Sequence, residues 1–280
     1  MQHGQDLRQG LFRSMVALGE SHVAGLCASA QRYRWVNVVA DLISGFQGTS
    51  VRLYHKGISA NANSPRSPGY PRSAKPSASG RYREDVIALQ PDLFILSYSL
   101  NDMRAGMHPE LFRQDIQQIL SDVQAACAPV TVLTTVYYMT AYDLCPPYAQ
   151  GSPEATRVYS EVIRQLAAAN GCLLADIYQA EGGLLEAGAP GVVRPDTVHA
   201  NGLGHRLIGH RVFEVIATHC SGVAAQVTAE LAGARAEFLA TLESRRSLQD
   251  YERPASRQES WGMGMHGPIG QEAFRGEKTG

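Results

Sequence analysis

The chain has 280 residues, which is enough for one large domain with an extension or for two small domains. Hydrophobic residues make up 44% of the sequence and charged residues 18%, a composition typical of a globular protein with a sizeable core. The net charge of −1 excludes a strongly basic protein, so the charge gives no support to nucleic-acid binding.

The cysteines and the N-terminus indicate a reducing compartment. The five cysteines are odd in number and widely scattered, without a CxxC pair, a zinc spacing or a disulfide framework. The first 13 residues lack the apolar centre of a signal peptide, and no run approaches the ~18 apolar residues of a membrane span. We therefore expect a cytoplasmic protein that does not associate with a membrane.

Short apolar runs alternate with helical patterns along the first 220 residues. The runs that predict strands are 15–18, 50–54, 92–98, 130–136 and 172–177, and the patterns that predict helices are 33–46, 81–90, 109–126, 153–170 and 202–220. Residues 61–80 are rich in Pro, Ser and Gly and predict a long loop. The alternation predicts an α/β fold with a five-stranded parallel sheet and helices on both faces.

The character of the sequence changes after Gly222, so we expect a domain over 1–222 and an extension over 223–280. Residues 226–248 predict a helix with an apolar stripe that could dock on the domain or mediate self-association. Residues 249–280 are polar and glycine-rich, which predicts a flexible tail, although Trp261 leaves room for partner binding.

Ser21 follows the first predicted strand, whose apolar run stops at Gly19. In open α/β sheets, ligands bind outside the carboxyl ends of the strands, so this position favours a catalytic serine. Taken alone, Ser21 is better explained as a cap that satisfies a free N–H at the start of a helix than as a catalytic residue.

Other polar groups are predicted to meet Ser21 at the same sheet edge. Gly57 and Asn101 also follow strands, and Asp196 and His199 lie in the loop before the last domain helix. Acyl transfer by a serine needs a base, a carboxylate that orients the base, and donors that stabilise an oxyanion. His199 and Asp196 supply the first two, and the N–H groups of Ser21 and Gly57 with the Asn101 amide supply the donors.

These residues resemble the conserved blocks of the SGNH hydrolases, the GDSL esterase/lipase superfamily. The matching blocks are Gly19-Glu20-Ser21, Gly57 in the run 55–59, Asn101-Asp102, and Asp196-Thr197-Val198-His199. The resemblance implies a flavodoxin-like three-layer α/β/α sandwich and serine esterase chemistry. The sequence departs from the family pattern at Glu20, where Asp is usual, at His55, where Asn is usual, and at Ser99, where Gly is usual.

Several side chains near these blocks are candidates for substrate contact. They are Glu20, His22, His55, Tyr137 and Tyr138. Tyrosines can stack on a sugar, although packing in the core explains them equally well. Basic residues in the segment 61–83 could favour an anionic substrate or simply be solvated; they are Arg66, Arg72, Lys75, Arg81 and Arg83. Together these features favour a short-chain or O-acetyl ester of a carbohydrate or glycoconjugate.

Other classes of function find less support in the sequence. The G-x-S-x-G and G-x-G-x-x-G motifs are missing around Ser21, so we expect no cofactor. His205 and His210 do not share a helix face, so we expect no metal and interpret both as surface histidines with satisfied hydrogen bonds. Two alternatives stay open: an O-acyltransferase with the same triad, and an inactive binding module.

Overall fold

We describe the protein from a computed structural model, which covers residues 6–73, 75–142, 146–186, 191–193 and 196–251. The strands are β1 (Ser14–Gly19), β2 (Arg52–Gly57), β3 (Leu93–Ser97), β4 (Val130–Thr134) and β5 (Leu173–Ala175). The helices are α1 (Ser21–Ala24), α2 (Trp35–Gln47), α3 (Tyr70–Ser73), α4 (Ala78–Asp85), α5 (Leu100–Arg104), α6 (Pro109–Cys127), α7 (Pro153–Ala169), α8 (Ile177–Glu186), α9 (Gly202–His219) and α10 (Ala225–Tyr251).

The five strands form one parallel sheet in the order β2-β1-β3-β4-β5. Gly19 at the end of β1 pairs with Gly57 of β2 on one side and with Ser97 of β3 on the other. This register brings the segments after β1, β2 and β3 to one edge of the sheet. The predicted α/β fold with a five-stranded parallel sheet is confirmed.

Helices cover both faces of the sheet, because alternate residues of each strand point to opposite sides. On one face, Met15 and Ala17 of β1 pack with Trp35 and Ile43 of α2 and with residues of α9. On the other face, residues of β1 and β3 pack with α4, α6 and α7. Because these side chains are almost completely buried, the sheet is a rigid platform for the loops at its edge.

The segment predicted as a long loop, residues 61–80, is more ordered than its composition indicates. It contains the short helix α3, and Asn61 and Asn63 are fully buried. Asn61 accepts a hydrogen bond from the Tyr98 hydroxyl at 2.6 Å, and its amide donates to the Pro76 carbonyl at 3.1 Å. Buried polar groups with such partners fix the segment against the sheet edge.

The chain divides into two compact units, residues 1–231 and 232–280. In the second unit, Phe238 and Leu242 of α10 are exposed. The predicted tail lies outside the described residues from position 252 onward. None of the helices in the described part of the chain combines the length and apolarity needed to cross a membrane.

Candidate active site

Ser21 is the first residue of α1 and lies directly beyond the end of β1. The first N–H groups of a helix have no partner within the helix, so the Ser21 N–H is available to a ligand. The tight turn needs a glycine before it, because a Cβ on Gly19 would lie 2.3 Å from Val23 Cγ2 and 2.6 Å from the Ser97 carbonyl oxygen. The side chain of Ser21 therefore has a fixed position, with only 4% of the residue exposed.

His199 joins Ser21 to Asp196 through its two ring nitrogens. Nε2 lies 3.1 Å from Ser21 Oγ, and Nδ1 lies 2.8 Å from Asp196 Oδ2. A carboxylate only accepts hydrogen bonds, so Nδ1 carries the proton and Nε2 presents its lone pair to the serine hydroxyl. The nucleophile, base and carboxylate predicted from the sequence thus meet in the geometry that general-base catalysis requires.

The loop that carries the base is held by Asp196. Its Oδ1 accepts the N–H groups of Val198 at 3.1 Å and His199 at 3.0 Å. Partial burial raises the pKa of Asp196, but the hydrogen bonds from the His199 and Val198 N–H groups and the His199 ring outweigh it and hold the pKa below its usual value. The carboxylate is therefore ionised at neutral pH, as an orienting partner of the base must be.

Asn101 lies in α5 at the end of β3 and is almost fully buried. One hydrogen of its side-chain amide is used, because Nδ2 donates to the Asn61 carbonyl at 3.0 Å. An amide has two such hydrogens, so the second stays available to an oxyanion. The buried turn that holds this amide comes from the segment after β2, which composition alone indicated as an ordinary loop.

Glu20 was expected to contact substrate, but the structure places its carboxylate inside the protein. The residue is completely buried, and its oxygens accept the N–H groups of Ser99, Leu100 and Asn101 at 2.9 to 3.3 Å. Burial, with the neighbouring charge of Asp102, raises the pKa of Glu20 to about 8. Glu20 therefore caps α5 and positions Asn101 from behind.

Gly57 was expected to donate its N–H to the oxyanion, and the geometry does not support this. The next residue, Ile58, donates its N–H to the Gly19 carbonyl at 3.0 Å. Successive N–H groups of a strand point to opposite sides, so the Gly57 N–H points away from β1. The glycine has a packing role, because a Cβ there would lie 2.2 Å from the Ala24 nitrogen.

His22 and Tyr137 were also expected to contact substrate, and both lie beneath the site. Their rings stack in parallel at 3.8 Å, and each residue is at most 2% exposed. The Ala200 N–H donates to His22 Nε2 at 3.4 Å, next to the loop that carries His199. Burial, with the nearby imidazole of His199, lowers the pKa of His22 well below its usual value, so a neutral ring supports His199.

His55 and Tyr138 are half-buried, so a contact with substrate stays a prediction for both. Burial lowers the pKa of His55. Tyr138 stacks on Tyr178 with ring centroids 5.8 Å apart, and both rings line an open cavity of about 640 Å³. This cavity lies after β4 and β5, on the sheet edge that also carries Ser21.

Most of the basic residues in the segment 61–83 have internal partners. Arg66 pairs with Asp115, Arg83 with Asp122 at 2.7 Å, and Arg81 with Asp85 at 2.7 Å. Arg81 also donates to the Lys56 carbonyl and the Tyr98 hydroxyl. These pairs weaken the expectation that this cluster favours an anionic substrate, because three of its guanidinium groups already neutralise carboxylates of the protein.

Two residues behind the site were not identified from the sequence. Asp102 is fully buried and accepts the Asn63 N–H on both oxygens at 3.2 Å. Burial raises the pKa of Asp102 to about 7, against hydrogen bonds that lower it. His205, expected at the surface, is buried and joins α9 to the chain after α1 by donating from Nε2 to the Leu26 carbonyl at 3.0 Å. No spacing signal identifies contacts of this kind.

Comparisons with known proteins identify several similar structures. The acetylxylan esterase Axe2 from Geobacillus stearothermophilus has a similar structure, with a TM-score of 0.58 and 19% identity over 75% of this chain and 96% of Axe2. LAE5, an α/β hydrolase from the Lake Arreo metagenome, gives a TM-score of 0.58 and 20% identity over 75% of this chain and 97% of LAE5. A lipase/acylhydrolase from Enterococcus faecalis gives a TM-score of 0.57 and 18% identity over 73% of this chain and 95% of its own.

These identities are low, so the structural likeness establishes a shared fold. No curated protein sequence matches the chain. A sequence model of the GDSL-like lipase/acylhydrolase family matches residues 17–207, which include Ser21, Asn101, Asp196 and His199. The chain therefore belongs to the GDSL-like lipase/acylhydrolase family, in agreement with the SGNH resemblance of its sequence blocks.

Proposed function

We propose that this protein is a serine esterase that hydrolyses carboxylic esters through an acyl-enzyme intermediate. The observation that carries the proposal is the continuous contact from Ser21 Oγ through the His199 ring to Asp196, at 3.1 and 2.8 Å. His199 Nε2 takes the Ser21 proton as Oγ attacks the ester carbonyl, and the imidazolium then protonates the leaving alkoxide. Water, activated by the same nitrogen, releases the acid.

The tetrahedral oxyanion needs donors, and we assign this role to two groups. They are the Ser21 N–H and the second hydrogen of the Asn101 amide. For a third donor we propose a backbone N–H group of the turn after β2, in place of the Gly57 N–H. Ala60 adopts a left-handed φ of 57° there, directly before the Asn61 carbonyl that holds Asn101. Replacing Asn101 with Ala is expected to lower kcat by about 10²–10³-fold.

The substrate we propose is a short-chain or O-acetyl ester of a carbohydrate or glycoconjugate. Ser21 and Asn101 are each 4% exposed, which favours a small acyl group. The partly exposed Tyr138 and Tyr178 rings offer a surface on which a sugar could stack. Axe2, described as an acetylxylan esterase, is consistent with this class of substrate.

The decisive experiment compares Ser21→Ala with wild type on p-nitrophenyl acetate. The expected result is a loss of kcat of at least about 10³-fold, because Ser21 Oγ is the atom that carries the acyl group in the proposed mechanism. Ser121→Ala, an exposed serine on α6, is the matched control and should retain full activity. Retained activity in Ser21→Ala would refute the mechanism, and a series of acyl lengths with acetylated sugars would test the substrate class.

A further inference from the structure

Cys27 lies beside the carboxylate and imidazole of the active site, although it is 169 residues from Asp196 in sequence. Its Sγ is 3.9 Å from Asp196 Oδ2, which in turn is 2.8 Å from His199 Nδ1. One ligand atom of each residue lies within 4.8 Å of the other two. We propose that Cys27, Asp196 and His199 form a binding site for Zn²⁺, and that the metal reversibly switches the enzyme off.

The donor set matches the chemistry of zinc. Thiolate, imidazole nitrogen and carboxylate oxygen are its usual ligands, and a tetrahedral site places them roughly 3.3–3.6 Å apart. The distances between the ligand atoms of the cluster lie on both sides of this range, so small side-chain rotations would bring these atoms into a tetrahedral arrangement. Asp196 has 43% of its side chain exposed and His199 has 18%, so an ion can enter from solvent and keep a water as its fourth ligand.

The backbone holds Cys27 in this position. Cys27 has a φ of 69°, in the left-handed region that a residue with a side chain rarely adopts. The preceding residue, Leu26, is fixed on both sides: its N–H donates to the Ser21 carbonyl at 3.0 Å, and its carbonyl accepts from His205 Nε2 at 3.0 Å. An unusual backbone conformation at an active site is a reason to look for function.

Metal binding would inactivate the base without covering the serine. When Zn²⁺ occupies Nδ1 of neutral His199, the ring proton moves to Nε2, and Nε2 can no longer accept the proton of Ser21. The Cys27 thiol loses its proton to solvent, so one proton is released for each ion bound. This inhibition rests on the proposed function, whereas the binding itself does not.

Binding is therefore tested in protein that cannot turn over ester. Isothermal titration of Zn²⁺ into reduced, EDTA-treated Ser21→Ala should give one site that depends on Cys27. Adding Cys27→Ala to this background should weaken that site by at least about 10–100-fold, and Cys127→Ala, on α6, should not. Co²⁺ in place of Zn²⁺ should give a thiolate-to-cobalt charge-transfer absorption that the Cys27→Ala protein lacks. Equal affinities with and without Cys27 would overturn the proposal.

Inhibition is tested in the active enzyme on p-nitrophenyl acetate. For each variant, the rate with Zn²⁺ is divided by its own rate without metal, so a change in basal activity does not enter the comparison. Wild type and Cys127→Ala should be inhibited and recover with EDTA, and Cys27→Ala should need at least about tenfold more Zn²⁺. Identical inhibition curves would refute the switch. An enzyme without esterase activity would refute the proposed function and leave the binding result intact.

Discussion

Asp196 and His199 form a unit whose orientation is set within four residues of chain. One carboxylate oxygen accepts two backbone N–H groups and the other accepts the imidazole, so the same carboxylate holds both the loop and the ring. Beneath the ring, His22 is neutral because burial, with the imidazole of His199, lowers its pKa. No positive charge from His22 therefore opposes the imidazolium that forms when His199 takes the Ser21 proton.

Replacing Asp196 with Asn should lower kcat by about 10³–10⁴-fold on p-nitrophenyl acetate. An amide in this position no longer enforces the tautomer with the proton on Nδ1, so Nε2 loses its role as acceptor. Asp41→Asn, an exposed carboxylate on α2, is the matched control and should leave kcat unchanged. If Asp196→Asn kept more than a tenth of the activity, the assigned role of this carboxylate would be wrong.

Glu20 makes the stability of the fold depend on pH. Burial raises its pKa from 4.5 to about 8. Between pH 4.5 and about 8, Glu20 therefore keeps its proton in the folded protein but has lost it in the unfolded chain. The contribution of this group to the free energy of unfolding is fully present below about pH 4.5 and is lost as the pH rises through 8.

Glu20→Gln should flatten this part of the pH profile, because the amide keeps an acceptor oxygen for the α5 N–H groups but does not titrate. The measurement is urea unfolding of wild type and variant at intervals between pH 4.5 and 9. Wild type should lose stability relative to Glu20→Gln as the pH rises. Glu84→Gln removes an exposed carboxyl on α4 and should show the same pH dependence of stability as wild type. Parallel curves for wild type and Glu20→Gln would disprove the role of the Glu20 carboxyl.

At the scale of elements, close contacts between β2 and α1 decide where Ser21 stands. Gly57 pairs with Gly19 across the sheet, and its missing side chain lets the backbone of α1 approach. A methyl group there would lie 2.2 Å from the Ala24 nitrogen and 2.6 Å from the Val23 carbonyl carbon, both of which are backbone atoms. Because backbone atoms cannot move aside as a flexible side chain does, α1 itself would have to shift.

Gly57→Ala should therefore destabilise the protein by about 1–3 kcal/mol and lower kcat, since Ser21 begins the displaced helix. Gly45→Ala is the matched control, because this glycine lies in α2 with no atom within 4 Å of the added methyl. That substitution should stabilise the protein by about 1 kcal/mol, since alanine favours helix. Thermal unfolding and ester hydrolysis measure both effects, and equal melting temperatures would contradict the packing argument.

Strands and long helices were predictable because burial on a sheet or along a helix imposes a period on the sequence. The apolar run of β3 and the stripe of α6 are examples, and Ser21 and His199 followed from their positions at element ends. The roles of Glu20, His22 and Tyr137 were not predictable. A polar or aromatic residue near a motif has the same local sequence whether its side chain points into the cleft or into the interior, and only the packing of distant segments decides between them.

The whole chain brings its active site together from segments far apart in sequence. The end of β1 provides Ser21, α5 provides Asn101, and the loop before α9 provides His199. His205, buried on α9, bonds to the Leu26 carbonyl and to the Trp35 N–H at 3.4 Å, which ties the base-bearing segment to the chain around the nucleophile. Because these segments lie side by side only in the folded domain, the complete site requires the complete domain.

The exposed apolar stripe of α10 is the remaining feature at this scale, and we expect it to mediate self-association. Leu231, Phe238 and Leu242 are spaced by seven and four residues, so they share one helix face, and they are 65%, 62% and 43% exposed. Water contact with so much apolar surface is unfavourable, and a second copy of the same helix offers a matching stripe. Sedimentation equilibrium over a range of concentrations should show a reversible dimer.

Phe238→Lys should shift this equilibrium to the monomer, because a charged side chain in the stripe is costly to bury. Ala236→Lys is the matched control, because Ala236 is also exposed but lies on the opposite side of the helix. It is about 180° around the helix axis from Val227, which is the member of the stripe nearest the start of α10. The control should dimerise like wild type. A wild-type protein that stays monomeric at every concentration would contradict the prediction and leave the stripe for a different partner.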